Sequence, residues 1–354
     1  FILSLIIILF LTGLFFSLVS TSLIASDKLE TNSYFFFFKH LVFVIIGIGL
    51  IFIFSYIDQE NLYKISIYIF FASLSLLFLV PIIGIEVKGS KRWLDIFFLP
   101  RIQPIELVKP FFIIALSLLL TFYKLKNFTL KFILTLILTL IISFFLIIQP
   151  DLGQTLLIGF TWMVLIFISG VNLIFLSAIS VIGLSLLLYF IFYVAKFEYI
   201  KSRILSFFDS ETGTHNFQSD KALESITSGG FFGKGIGEGT LKNKVPEAHT
   251  DYIISVISEE FGVIVIILIL ILFLVFIFSI FKKVNNEKDH KAKLILVGSA
   301  SLILTQAMIH IGVNIRLFPT TGMTLPFVSY GGSSIISVSI LSGIILNLTK
   351  RKFD

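Results

Sequence analysis

The chain has 354 residues, 57% hydrophobic and 14% charged, and a mean hydropathy of +1.04. Soluble globular chains do not reach those values, so the composition describes a polytopic membrane protein. The formal charge of +6 is met by basic loops against anionic lipid rather than by nucleic acid, and the absence of cysteine excludes disulfides and thiolate metal sites. The five histidines lie far apart with no pair at ligand spacing, which argues against a structural zinc or haem site.

In chain order, ten windows are long enough to cross about 30 Å of hydrocarbon as helices. They are Phe1–Ala25, Tyr34–Tyr56, Ile65–Ile85, Ile105–Phe122, Leu130–Ile148, Leu152–Ser169, Leu173–Val194, Tyr252–Ile280, Leu294–Val313 and Ser333–Leu348. The runs are continuously apolar instead of alternating at period two, which selects helices over barrel strands. The expectation is an all-α polytopic membrane protein of about ten transmembrane helices, forming a single membrane domain over residues 1–354 with one long external loop over 195–250. The first run is too long for a signal-peptide core and lacks a basic flank, so it reads as a retained helix. Because the chain starts at Phe1, a cytoplasmic lead-in is expected to be missing. At Gln149-Pro150-Asp151 the proline either separates two helices or kinks one.

Orientation follows from the Lys/Arg bias of short loops. With the N-terminus inside, the inner loops and tail hold Lys64, Lys124, Lys126, Lys131, Lys282, Lys283, Lys288, Lys291, Lys293, Lys350, Arg351 and Lys352. The short outer loops hold Lys28, Lys39, Lys88, Lys91, Arg92, Arg101 and Arg316, which is seven against twelve. Both termini are therefore expected in the cytoplasm.

The long loop opens with charged, amphipathic sequence (Lys196, Glu198, Lys201, Arg203) and passes through Asp209-Ser210-Glu211-Thr212-Gly213. It then reaches Ser228-Gly229-Gly230-Phe231-Phe232-Gly233-Lys234-Gly235-Ile236-Gly237-Glu238-Gly239-Thr240. Loops of this length are functional or disordered. Six glycines interleaved with two phenylalanines suit a tight, membrane-apposed turn better than disorder. Phosphate cradling is an alternative that glycine spacing alone supports weakly.

Polar residues inside membrane segments cost a few kcal/mol each unless they face a cavity or a partner. Glu106 and Lys109 are i, i+3 neighbours, suited to a structural ion pair or to a substrate role. Asp251, Ser255, Ser258 and Glu259 line one helical face, with Glu260 pointing away. Asp251 either favours a helix dipole or does chemistry at the junction between the polar loop and an apolar helix. Gln306, His310 and Asn314 form a stripe at four-residue spacing, with interhelical hydrogen bonds favoured for Gln306 and His310. Three polar stripes on three helices suggest one shared interior cavity.

Several blocks, in order along nearly the whole chain, resemble the SEDS family of bacterial cell-shape and division proteins, typified by RodA and FtsW. They are Lys91-Arg92-Trp93, Gln103-Pro104-Ile105-Glu106-Leu107-Val108-Lys109, Gln149-Pro150-Asp151-Leu152-Gly153, Gly233 to Thr240, Pro246-Glu247-Ala248-His249-Thr250-Asp251-Tyr252, Ser258-Glu259-Glu260-Phe261-Gly262 and Pro319 to Ser334. The short link from Gly239 to Pro246 and the Gly237-Glu238-Gly239-Thr240 version of the loop are more like the division-type FtsW branch than the elongation-type RodA branch. Ile105 departs from the family's usual serine, which puts only local capping in doubt.

The resemblance implies a peptidoglycan glycosyltransferase that polymerises lipid II for septal wall synthesis, releasing undecaprenyl pyrophosphate, in the bacterial cytoplasmic membrane at the division septum. It implies Asp251 as the general base and an inverting displacement. The leaving pyrophosphate needs positive charge from Lys109, oriented by Glu106, from Arg92, or from a divalent cation such as Mg or Mn. Arg92 beside Trp93 suits an interfacial anchor equally well. Glu247 and His249 position the sugar or tune Asp251, Pro246 fixes entry to the loop, and Asp151 lies in a family block. The outer segment from Pro319 to Ser334 offers hydroxyl and backbone donors, among them Thr321 and Ser329. The implied partners are a class B penicillin-binding transpeptidase, other division-complex membrane proteins and membrane lipids. The competing classes are a lipid II flippase, which would favour paired broken helices and inverted repeats, and a noncatalytic scaffold, which would not need Asp251.

Overall fold

The computed structural model describes residues 1–29, 34–87, 89–95, 100–194, 197–208, 217–241, 245 and 247–350, excepting the side chains of 21–29 and 199. Lys88, Lys196, Asp209 to Gly213, Pro246, Arg351 and Lys352, to which the sequence reading gave roles, lie outside the described residues. In chain order the elements are α1 (Ile2–Leu29), α2 (Phe35–Tyr56), α3 (Gln59–Ile83), β1 (Ile85–Val87), β2 (Ser90–Trp93), α4 (Pro104–Thr121), α5 (Phe128–Ile148) and α6 (Leu152–Ile168). There follow α7 (Leu173–Tyr193), α8 (Glu198–Phe208), α9 (Phe217–Gly229), α10 (Ile253–Phe261), α11 (Val263–Asn286), α12 (His290–Asn314) and α13 (Gly332–Thr349).

Among the described residues nine helices are long and apolar enough to cross a membrane, with α6 a shorter apolar helix of 17 residues. The protein is a multi-pass membrane protein built of helices, as its composition requires. Two local features differ from the sequence reading, while the Gln149-Pro150-Asp151 corner separates two helices as its window division expects. The window Tyr252–Ile280 is two helices, because Gly262 adopts φ +82 and ends α10. A Cβ there would lie 2.1 Å from the Phe231 carbonyl oxygen, so only glycine fits. The Gln149-Pro150-Asp151 corner is a full break, with α5 ending at Ile148 and Asp151 capping α6. A short antiparallel hairpin, β1 with β2, interrupts the helices and brings Arg92 onto a strand.

The fold divides into two compact units: Phe1–Ser55, Ser206–Ile280 and Ile303–Leu346 form the first, and Tyr56–Leu205, Phe281–Leu302 and Asn347–Asp354 the second. In the first, glycines allow neighbouring helices to approach closely, the mode of membrane packing that small residues permit. A Cβ on Gly343 would meet Phe54 Cβ at 2.7 Å, and one on Gly47 would meet Ser339 Oγ at 2.4 Å. Phe327, at φ +66, sets its ring edge-on to Phe10 and Phe276.

In the second unit α4 is the central helix. Val108, Phe112, Ile113, Ile114 and Leu116 are fully buried around its circumference, as an apolar helix inside a bundle should be. A Cβ on Gly298 of α12 would come within 2.8 Å of Ile113 and 3.0 Å of Leu165. The flanking helices start on side-chain caps, with Asn127 accepting from the Thr129 N–H and Asn172 from the Ile174 N–H. Helix α7 is the most exposed to the surroundings, and between it, α5 and α8 runs an apolar groove of about 660 Å³ lined by Leu140, Phe144, Leu187, Phe190 and Phe197.

Candidate active site

In the first unit the chain from Glu247 to Tyr252 winds into a turn ahead of α10. Glu247 takes φ +56, and its carbonyl accepts from the N–H groups of Thr250, Asp251 and Tyr252 at 3.0, 3.1 and 3.3 Å. The Thr250 hydroxyl donates to the Glu247 carboxylate at 3.1 Å, closing the turn. Val245, Ala248 and Tyr252 are pulled into an apolar cluster with Ala222, Val256 and Val313, while His249, Thr250 and Asp251 stay half-buried.

Three successive carbonyls of this turn are each held by a donor from elsewhere in the unit. The Tyr330 N–H donates to His249 O at 3.1 Å, Ser329 Oγ to Thr250 O at 2.7 Å, and Asn314 Nδ2 to Asp251 O at 3.0 Å. The backbone that carries Asp251 is thereby fixed without using its carboxylate. Tyr252 is the N-cap of α10, so Asp251 lies just ahead of the helix instead of inside its first turn. The His249 ring contacts Phe36 at 4.8 Å and Tyr330 at 5.9 Å between centroids, and Phe36 and Tyr330 are themselves 6.0 Å apart. Burial pushes the Tyr330 phenol above its ordinary value of 10.

The α12 stripe fastens the segment before α13. Gln306 Nε2 donates to Thr324 O at 2.9 Å, and His310 Nδ1 donates to Met323 O at 2.7 Å. The carbonyl partner fixes the histidine tautomer. These bonds run from helix to irregular backbone, not between two helices. Thr321 Oγ1 is buried there without a hydrogen-bond partner among the described residues.

Below Asp251 the expected open stripe is a sealed seam with α9 and the glycine-rich loop. Glu259 Oε1 accepts from Lys234 Nζ at 3.2 Å and the Leu241 N–H at 2.9 Å, and Oε2 accepts from Ser225 Oγ at 3.0 Å. Ser258 donates to Ile226 O. Glu260, expected to point away, is also buried, because the loop wraps the far side of the short helix. The N–H groups of Lys234 and Gly235 donate to the carbonyls of Glu259 and Glu260 at 2.9 and 3.0 Å. They are spent on α10, which removes the phosphate-cradle reading for those two donors.

The second unit holds a separate polar cluster. Lys109 is fully buried, with Nζ 2.7 and 2.8 Å from the two Glu106 oxygens. Gln154 Nε2 donates to Glu106 Oε1 at 2.9 Å. Asp151 accepts from the Gln154 N–H at 3.4 Å and from Gln103 Nε2 at 3.3 Å. Arg92 Nε lies 3.7 Å from Asp151 Oδ2 and donates to Gln149 O at 3.2 Å, while Nη2 donates to Pro150 O. Burial raises the Asp151 carboxyl, and the Arg92 charge opposes that rise. The Arg92 side chain is only 12% exposed, so it braces the α5–α6 corner and does not serve as an interfacial anchor.

Four sequence candidates, Arg92, Glu106, Lys109 and Asp151, thus share one cluster, and Glu247, His249, Asp251 and Ser329 share the other. Gln154 is not among the sequence candidates, although it follows the Asp151 cap by three residues, the position that a capping pattern marks. Nor is His40, fully buried on α2 with its ring 5.9 Å from Tyr330.

Residues 1–353 match a family model covering FtsW, RodA and SpoVE, described as cell cycle protein. A probable peptidoglycan glycosyltransferase FtsW of Caulobacter vibrioides is 31% identical over 305 residues, 84% of this chain and 75% of that one. The protein of the same description from Geobacter sulfurreducens is 31% identical over 344 residues, covering 94% and 90%. A solved chain from a peptidoglycan synthase complex, described as coordinating polymerization and crosslinking, matches at TM-score 0.79 and 25% identity over 97% of this chain and 96% of that one. The rod shape determining protein RodA of Thermus thermophilus shares the fold, at TM-score 0.72 and 24% identity over 100% and 97%.

Proposed function

The chain belongs to the FtsW/RodA/SpoVE family of cell cycle proteins, the SEDS family, and from that premise we propose that it is an FtsW-type peptidoglycan glycosyltransferase. It polymerises lipid II in the bacterial cytoplasmic membrane during division. The observation that carries this reading is the braced turn, in which every carbonyl from His249 to Asp251 is held by another element while Asp251 remains half-buried.

The Asp251 carboxylate takes the proton from the acceptor's GlcNAc 4-hydroxyl as that oxygen attacks the anomeric carbon of the donor's MurNAc, and undecaprenyl pyrophosphate leaves. One displacement without a covalent intermediate inverts the configuration. A rigid backbone matters because proton transfer needs the carboxylate within hydrogen-bond reach of the hydroxyl. Glu247 and His249, on the same turn, orient the sugar. Ser329 acts at one remove, through Thr250 O, and Thr321 supplies a hydroxyl from the segment that α12 holds.

Lys109 and Arg92 supply charge toward the pyrophosphate, with Glu106 and Asp151 orienting them. Among the described residues no group of three His, Asp or Glu side chains is placed to hold a metal ion by protein ligands alone. The groove beside α7 has the chemistry of a polyprenyl chain. Residues 1–354 act as one membrane domain with both termini cytoplasmic and the 195–250 segment outside, where its substrate's head group is. A class B penicillin-binding transpeptidase is the partner, a reading supported by the likeness to a chain of a complex that couples polymerization to crosslinking.

The test is glycan synthesis from lipid II by the purified protein with that transpeptidase, itself unable to polymerise. A product ladder is expected. Lipid II movement across vesicles without polymer would favour the flippase class instead.

A further inference from the structure

We infer that Phe231, Phe232 and Ile236 form a wedge that enters the acyl-chain region of the bilayer at the boundary opposite Lys282 and Lys283. The inference rests on the membrane character of the chain and not on its catalytic activity.

The three side chains are 73%, 83% and 66% exposed, although the backbone that carries them is pinned. The Gly230 carbonyl accepts from the Val263 N–H at 3.0 Å and the Phe231 carbonyl from the Ile264 N–H at 3.4 Å. The loop thus satisfies the first free donors of α11 and sits at the level of that helix's first turn. A Cβ on Gly233 would lie 2.2 Å from Glu260 O, so the loop is pressed against α10 on one side and its large side chains are left on the other.

Helix α11 itself supplies the depth gauge. From Val263 to Phe281 it carries no charged residue, and Lys282 and Lys283 follow directly. At about 1.5 Å per residue that run is about 28 Å long, close to the roughly 30 Å of the hydrocarbon core. With the two lysines at one interface, Val263 falls at the other, and the loop tip falls with it. Between Phe231 and Ile236 the one charged residue, Lys234, turns its ammonium back to Glu259 at 3.2 Å, and the next charge, the exposed Glu238, follows Ile236 by two residues, where a carboxylate meets the head groups. Exposed aromatic and aliphatic side chains on a pinned backbone, at the edge of the hydrocarbon with charge only at their border, suit insertion among lipid chains. Exposed to water, they would be an apolar patch of the kind soluble surfaces avoid.

The absence of native cysteine makes the test direct. Phe232→Cys and Ile236→Cys, each labelled with a nitroxide, are reconstituted in nanodiscs of phosphatidylethanolamine and phosphatidylglycerol, without partner protein. Collision with oxygen and with a water-soluble nickel chelate is then read by power saturation. Leu268→Cys on α11, 57% exposed, serves as the lipid reference, and Thr227→Cys on α9 as the water reference. Both loop labels should favour oxygen as Leu268→Cys does, with nickel collision several-fold below Thr227→Cys. Nickel access equal to that at Thr227→Cys would overturn the wedge in favour of a water-facing surface. Protection from both reagents would overturn it in favour of cover by protein. All four substituted side chains are exposed, and two independent loop positions carry the same question.

Discussion

Lys109→Met tests the buried pair at its most exacting point. The ammonium lies within 2.8 Å of both Glu106 oxygens with no solvent exposure. Its removal leaves a buried carboxylate with Gln154 Nε2 as its hydrogen-bond donor among the described side chains. Breaking such a pair costs about 3–5 kcal/mol, a large share of the roughly 5–15 kcal/mol that keeps a protein folded. The single variant should therefore lose thermal stability in detergent, and reduced activity on its own would say nothing about chemistry. Glu106→Gln with Lys109→Met removes both charges and should recover most of that stability, because neutral replacement of a buried pair is close to neutral overall. If Lys109 serves the leaving pyrophosphate, the double variant should fold like the parent yet polymerise about 10²-fold or more slowly, the scale of losing one preorganised electrostatic stabiliser. Parental polymerisation by a stably folded double variant would refute the substrate role and leave the pair structural. Parental stability of the single variant would refute the burial argument itself.

Glu259→Ala should loosen the glycine-rich loop, since Ser225 Oγ, the Leu241 N–H and Lys234 Nζ all lose an acceptor; Ser225 keeps Ser255 O and Lys234 reaches solvent, so the main cost is about 1–3 kcal/mol for the Leu241 N–H. Hydrogen exchange at Leu241 should accelerate, and unchanged protection would count against the clasp. Gly262→Ala forces a side chain into φ +82 and within 2.1 Å of Phe231 O. The backbone strain alone is of order 1–3 kcal/mol, so a marked drop in unfolding temperature is expected; an unshifted transition would contradict the backbone contact. Topology is best probed at Thr227, which is exposed, and not at Ser219, which is buried. Thr227→Cys should react with an impermeant maleimide added to intact cells; reaction only from the cytoplasmic side would reverse the orientation.

Long apolar windows were legible because a membrane helix has to satisfy its own backbone over a fixed thickness, and that requirement writes itself into composition. The break at Gly262 was not, since a glycine within an apolar run carries no sign of its φ; the reason for it is the Phe231 carbonyl, about thirty residues earlier in the chain. The Glu106–Lys109 pair could be read from i, i+3 spacing, but its link to Gln154 joins α4 to α6 and depends on packing. Likewise Ser255, Ser258 and Glu259 do fall on one helix, but Asp251 stands ahead of it, and the cover of Glu259 by Ser225 and the glycine-rich loop is a tertiary fact. Asn314 was found by its spacing with His310, though its hold on Asp251 O spans 63 residues and leaves no local pattern.

The central claim is that Asp251 accepts the attacking hydroxyl's proton. Asp251→Asn keeps the side chain's shape and touches none of the three bonds that brace the turn, which all end on backbone carbonyls. Lipid II polymerisation should be measured with the variant copurified with its transpeptidase, at unfolding temperature matched to the parent. The account predicts a normal complex in which glycan synthesis falls by about 10² or more, the usual scale for loss of a general base; near-parental polymer formation by that folded complex would contradict it.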